Sequence, residues 1–222
     1  LKGVPMHWMV DWGTPFPLFI DKASGVMLTD ADGHSYADFC LGDTGAMFGH
    51  SPPAIAAAVK RQAERGLTTM LPGEDVAIVG ALLDRRFGLP FWQVTATASD
   101  ANRSVIRWAR AATGRKKILV MQGCYHGAVD DTFVTLENGK RRNRPGLVGE
   151  VRDVTENTRV VEFNDIPALE AALSDEQVAL VLAEPVMTNC GMVLPDTGYH
   201  EALRALTRKY GTLLCIDETH TI

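Results

Sequence analysis

Leu213-Leu214-Cys215-Ile216-Asp217-Glu218 joins an apolar run to two adjacent carboxylates. The run reads as a buried strand that ends by delivering acids to one place. A buried carboxylate is costly unless a cation or several donors compensate it, so an acid there faces a cationic ligand, a metal or a protonated ring.

Working back from this strand, the amphipathic stretch 199–210 reads as a helix with Gly211 as its stop. Before it come an apolar strand at 178–183, a helix from near Pro167 and a strand at 159–163. Further upstream, a β-rich run at 92–96, a helix at 100–113 ended by Gly114, and a strand at 117–121 form an expected βαβ unit. Residues 137–158, rich in Gly, Asn and charge, read as a long surface loop. Apolar strands separated by helices define an α/β fold with a mostly parallel sheet flanked by helices. Ligands in such sheets collect at the carboxyl ends of the strands. The residues expected there are Thr97-Ala98-Ser99, Gly123-Cys124-Tyr125-His126-Gly127, Glu184-Pro185 and Asp217-Glu218.

The N-terminal part has another character. Short β-leaning runs at 18–20, 25–28 and 36–39 alternate with turn signals at 22–25 and 30–33, which predicts an antiparallel meander. Ser51 and two prolines open a helix over 54–65 that Gly66 stops, and 74–87 repeats the pattern with Gly88. The expected division is a small α+β segment at 1–66 and the N-terminal part of a larger domain at 67–222. The chain starts at Leu1 and stops directly after the carboxylates, which reads as a truncated sequence.

Composition narrows the function. The 222 residues carry a formal net charge of −5, which argues against a nucleic-acid partner. Lys140, Arg141, Arg142 and Arg144 form a local basic set that reads as a solvated loop. No run approaches the ~18 apolar residues of a membrane span, and a cytoplasmic location is expected. Cys40, Cys124, Cys190 and Cys215 form no C-x-x-C pair and read as reduced thiols. Cys124 and His126 lack a second ligand pair for zinc, and Asp30-Ala31-Asp32-Gly33 suits a hairpin turn better than a calcium loop.

Thr97-Ala98-Ser99-Asp100-Ala101 combines hydroxyls, small residues and a helix start, where free N–H groups and the helix dipole receive a phosphate. Taken alone, it is more often an ordinary helix cap. No P-loop and no G-x-G-x-x-G occur, so a single phosphate group fits better than a nucleotide. Tyr125 offers a planar ligand a face to stack on, although aromatic residues at strand ends are often lids on the core.

In order and spacing these motifs, with Thr113-Gly114-Arg115, Tyr36-Ala37-Asp38-Phe39 and Phe48-Gly49-His50-Ser51-Pro52, resemble the class III, fold type I pyridoxal-phosphate aminotransferases, in the branch near glutamate-1-semialdehyde aminomutase. The resemblance implies that pyridoxal 5'-phosphate is the cofactor and that Asp217 pairs with its pyridine nitrogen. It also implies that Ala98 and Ser99 bind the cofactor phosphate, that Tyr125 stacks on the ring, and that His126 supports. Thr219 and His220 fall where the family packs on the other ring face and hydrogen-bonds the phenolic oxygen, and Asn189 aligns with a residue near the ring. Trp8 and Trp12 are expected to line an apolar substrate pocket, packing on the small domain's core being the alternative.

The family's catalytic lysine lies beyond the Asp-Glu motif, and none of Lys2, Lys22, Lys60, Lys116, Lys117, Lys140 and Lys209 occupies its context. The segment 4–12 has no arginine to grip a substrate carboxylate. The implied activity is transfer of an amino group between an amine or amino acid and a carbonyl acceptor, in a homodimer. Alternatives are an intramolecular aminomutase, a racemase or decarboxylase using the same cofactor, and a non-catalytic nucleotide-binding module.

Overall fold

A computed structural model describes residues 3–10, 13–149 and 152–222. By contact the chain divides into two units, 1–91 and 92–222.

The first unit holds the expected meander. Strands β1 (Ile20–Ser24), β2 (Met27–Asp30) and β3 (Ser35–Ala37) pair antiparallel in chain order. Asp30 builds the second turn: its Oδ1 accepts from the N–H groups of Asp32 and His34, and its Oδ2 accepts from the Tyr36 hydroxyl at 2.8 Å. Helices α1 (Pro53–Ala63) and α2 (Asp75–Phe87) follow. Ser51 does not cap α1 as expected; its backbone is left-handed and its hydroxyl donates to the Ala23 carbonyl instead. Gly88 ends α2 in a left-handed cap, its N–H bonded to the Asp84 carbonyl. Helix α2, which the sequence reading groups with the larger domain, clusters by contact with this unit.

The second unit is the parallel α/β body. Helix α3 (Ala98–Thr113) precedes β4 (Lys117–Met121), and the hairpin β5 (Val134–Glu137) and β6 (Lys140–Asn143) follows. Then come β7 (Thr158–Val161), α4 (Ile166–Leu173), β8 (Val178–Ala183), α5 (Tyr199–Lys209) and β9 (Leu213–Ile216). The sheet order is β7-β4-β8-β9, all parallel. Every residue of β8 is buried, so both its faces are covered, and each Val or Leu enclosed there contributes about 1.5–3 kcal/mol. Helix α3 packs on β8, α4 on β7 and α5 on β9.

Four expectations are corrected. Residues 92–96 are not a strand: they are largely exposed and pair with no strand among the described residues, so β-propensity there has no ladder to join. The stretch 137–158 is not one loop, because Asn138 and Gly139, both at positive φ, form the two-residue turn of the β5–β6 hairpin. The basic set is not simply solvated: Arg141 donates to the carbonyls of Thr155 and Thr158, and Arg144 to that of Cys124. Strand β9 is also less buried than its apolar sequence suggests, since it ends the sheet order, with Leu213 and Ile216 exposed. Among the described residues no helix is long and apolar enough to cross a membrane.

Candidate active site

The carboxyl ends of β4, β8 and β9 lie side by side, and the start of α3 meets the loop that follows β4. Thr97 caps α3: its Oγ1 accepts from the Asp100 N–H at 3.1 Å and donates to the Asp100 carboxylate at 2.9 Å. An α-helix leaves its first N–H groups without intrahelical partners, here those of Ala98 and Ser99. The positive end of the helix dipole is therefore at the residues expected to take a phosphate.

The first turns of α3 hold the loop 124–128 from one face. Ser99 Oγ accepts from the Ala128 N–H at 2.9 Å, Asn102 Nδ2 donates to the His126 carbonyl at 3.2 Å, and Arg103 donates to the Ala128 carbonyl at 2.8 Å. Residues three and four apart share a helix face, which is why 99, 102 and 103 reach one loop. The approach is close enough to require glycine at 127: at φ +77° an added Cβ would lie 2.1 Å from Ser99 Oγ. Arg144 fixes the other end of the loop through the Cys124 carbonyl at 2.8 Å.

Asp217 stands at the end of β9, its N–H bonded to the Ala183 carbonyl at the end of β8. Its side chain is 7% exposed and meets four donors. Oδ2 accepts from His126 Nδ1 and from Asn102 Nδ2, both at 2.8 Å. Oδ1 accepts from the Thr219 N–H at 3.1 Å and its hydroxyl at 2.6 Å. Burial alone would raise the pKa of Asp217, but the hydrogen bonds from His126, Thr219 and Asn102 outweigh it and hold the carboxyl well below the usual carboxylate range. Burial likewise opposes charge on His126, yet Asp217 and the neighbouring Cys124 together raise it to about 9. The imidazole is enclosed, and its Nε2 has no hydrogen-bond partner, a cost that the Asp217 contact offsets. Burial, then the charge of Asp217, pushes the Cys215 thiol up to about 11.

Glu184, at the end of β8, is buried and turned toward its own surroundings. It accepts from the Tyr125 N–H at 3.4 Å and from the Thr188 N–H and hydroxyl at 3.1 and 2.8 Å. The Tyr125 side chain is exposed beside it. Asn189 is exposed and donates to the Thr188 hydroxyl, and His220 is half-buried beyond Thr219. Of the expected pocket residues, Trp8 lies exposed in the N-terminal unit and Trp12 falls outside the described residues.

Asn102 was not singled out from sequence, although it breaks an apolar stripe of α3 that continues with Ile106 and Ala109. A buried amide at that spacing is the signal that could have found it. His126, expected only to support, is the fully enclosed partner of the acid.

The parallel sheet flanked by helices, with a helix start, an aromatic loop and a buried acid at its carboxyl ends, is the body of a fold type I transferase, the fold shared with its solved neighbours. The chain matches the family "Aminotransferase class-III" over residues 9–221 and belongs to it. It is 38% identical over 211 residues to a glutamate-1-semialdehyde 2,1-aminomutase of Methanocella arvoryzae, covering 93% of this chain and 50% of that one. Among solved structures, a glutamate-1-semialdehyde-aminomutase from Pseudomonas aeruginosa PAO1 is 53% identical with a TM-score of 0.97, over 100% of this chain and 49% of that one. An omega-transaminase from Sphaerobacter thermophilus is 30% identical with a TM-score of 0.87, over 99% of this chain and 53% of that one. The chain therefore spans about half the length of the relatives it matches.

Proposed function

We propose that the protein is a pyridoxal-phosphate enzyme that transfers an amino group between an amine or amino acid and a carbonyl acceptor. The observation that carries this reading is Asp217, an ionised, nearly buried carboxylate at the sheet's ligand-binding edge. The residues fit the cofactor on three counts. The acid is held charged by four donors, the start of α3 offers unpaired N–H groups, and Gly127 lets the loop approach Ser99 closely enough to fix its hydroxyl beside those N–H groups. A relative from Pseudomonas aeruginosa was solved in complex with PMP, which supports the same choice.

Pyridoxal phosphate, when bound, supplies an electron sink for the negative charge formed at the substrate carbon. Asp217 would hold a proton on the ring nitrogen, because an anion that cannot readily protonate favours a cationic neighbour. Ser99, which accepts from the Ala128 N–H, would have its hydroxyl hydrogen free for a phosphate oxygen. The N–H groups of Ala98 and Ser99 add to that grip. The exposed Tyr125 ring would offer the stacking face, Thr219 would pack on the other face, His220 would donate to the phenolic oxygen and Asn189 would lie near the ring. Trp8 and Trp12 are assigned to an apolar substrate pocket, and the protein to a cytoplasmic homodimer.

The names of the two aminomutase relatives, one at 53% identity, favour intramolecular amino-group exchange as a second reading. Titration of the protein with pyridoxal phosphate, then incubation with amine donor with and without added keto acid, separates them. Turnover that requires the keto acid supports the aminotransferase. Isomerisation of an amino aldehyde without it supports the aminomutase, and failure to bind the cofactor rejects both.

A further inference from the structure

We infer that Asn102 is a positioning residue that decides which oxygen of Asp217 meets the ligand. Its Nδ2 donates to two acceptors, Asp217 Oδ2 at 2.8 Å and the His126 carbonyl at 3.2 Å. Turned over, the amide would set its own oxygen against both, so one orientation is selected. With His126 as second donor, Oδ2 is saturated on the buried side. Oδ1 is held only by the exposed Thr219, through its backbone N–H at 3.1 Å and its hydroxyl at 2.6 Å; the hydroxyl can rotate away and free one lone pair. Oδ1 is therefore the oxygen left for a ring N–H. Asn102 also ties α3, the phosphate-binding element, directly to the acid, so the two ends of the cofactor are held in one register.

This inference rests on the cofactor reading above. The charged and titratable groups around the acid are His126 and Cys124 from the loop after β4 and Cys215 on β9; Glu184 at the end of β8 is engaged by Tyr125 and Thr188. Asn102→Leu keeps the γ-branched shape and removes both N–H donors. Asn102→Asp keeps the shape and sets a second carboxyl against Asp217, where a shared proton restores a donor only at lower pH.

The test is the dissociation constant for pyridoxal phosphate at pH 8 and pH 6, with thermal denaturation of the cofactor-free protein as a check on folding. A hydrogen bond to a charged group predicts affinity about 10- to 100-fold weaker in N102L at both pH values. N102D is expected to be at least as weak at pH 8 and to regain about tenfold on going to pH 6, a recovery that a merely structural role would not produce. N102L binding as tightly as wild type, or N102D showing no recovery, overturns the inference alone. A wild-type protein that binds no pyridoxal phosphate overturns the cofactor reading and this inference with it. Should N102L not fold, N102A decides: it is expected to bind the cofactor about 10- to 100-fold more weakly than wild type, and wild-type affinity overturns the proposal.

Discussion

The His126–Asp217 pair makes stability depend on pH in a direction set by the structure. His126 is raised from 6.5 to about 9 in the folded protein, so its contribution is complete below about pH 6.5 and is lost as pH rises through 9. Asp217 is depressed, so its share is present above its ordinary value near 4 and is lost only in strong acid. The pair is one interaction, at full strength between these limits. At about 1.4 kcal/mol per pH unit, the His126 shift corresponds to about 3 kcal/mol that disappears between pH 6.5 and 9. His126→Gln removes the titrating group. Urea unfolding of the cofactor-free protein is expected to show the variant about 3 kcal/mol less stable at pH 6.5 and close to wild type above pH 9. NMR of the imidazole nitrogens should give a wild-type midpoint near 9. An equal loss of stability with pH in both proteins, or a midpoint near 6.5, refutes the reasoning.

Three further outcomes follow from the geometry. Gly127→Ala forces a side chain into a left-handed backbone and onto Ser99 Oγ, which costs about 1–2 kcal/mol for the backbone before any displacement of Ser99. A lower melting temperature and weaker cofactor binding are expected, and unchanged values for both would contradict the close approach. Arg115→Ala removes donors to the carbonyls of Val178 and Tyr210 at the amino ends of the strands; a loss of about 2–4 kcal/mol is expected in urea unfolding, with Lys a poor substitute. Ser99→Ala should weaken pyridoxal phosphate about tenfold and leave pyridoxal, which lacks the phosphate, unchanged. Equal effects on the two ligands would remove Ser99 from the phosphate site.

Local signals in the sequence were enough to place the acid, the helix cap and the aromatic loop. Thr97, Gly88 and Gly114 act through hydrogen bonds within a few residues, and the apolar strand 178–183 carries its burial in its composition. What escaped depends on distant partners. Residues 92–96 have strand-like chemistry without a ladder, and β9 is apolar yet lies at the end of the sheet order. The Asn138-Gly139 turn carries its own signal, but the charge around it reads as a loop. Asn102 and Asp217 are 115 positions apart, and nothing local announces that they share a hydrogen bond.

The central claim is that Asp217 keeps the ring nitrogen of bound pyridoxal phosphate protonated. The nitrogen chemical shift of ¹⁵N-labelled cofactor, measured on the protein at pH 8, reads that proton directly. A protonated shift in wild type that moves to the unprotonated value in Asp217→Asn is the expected result. An unprotonated ring nitrogen in the wild-type protein, or a protonated one in the variant, would contradict the account.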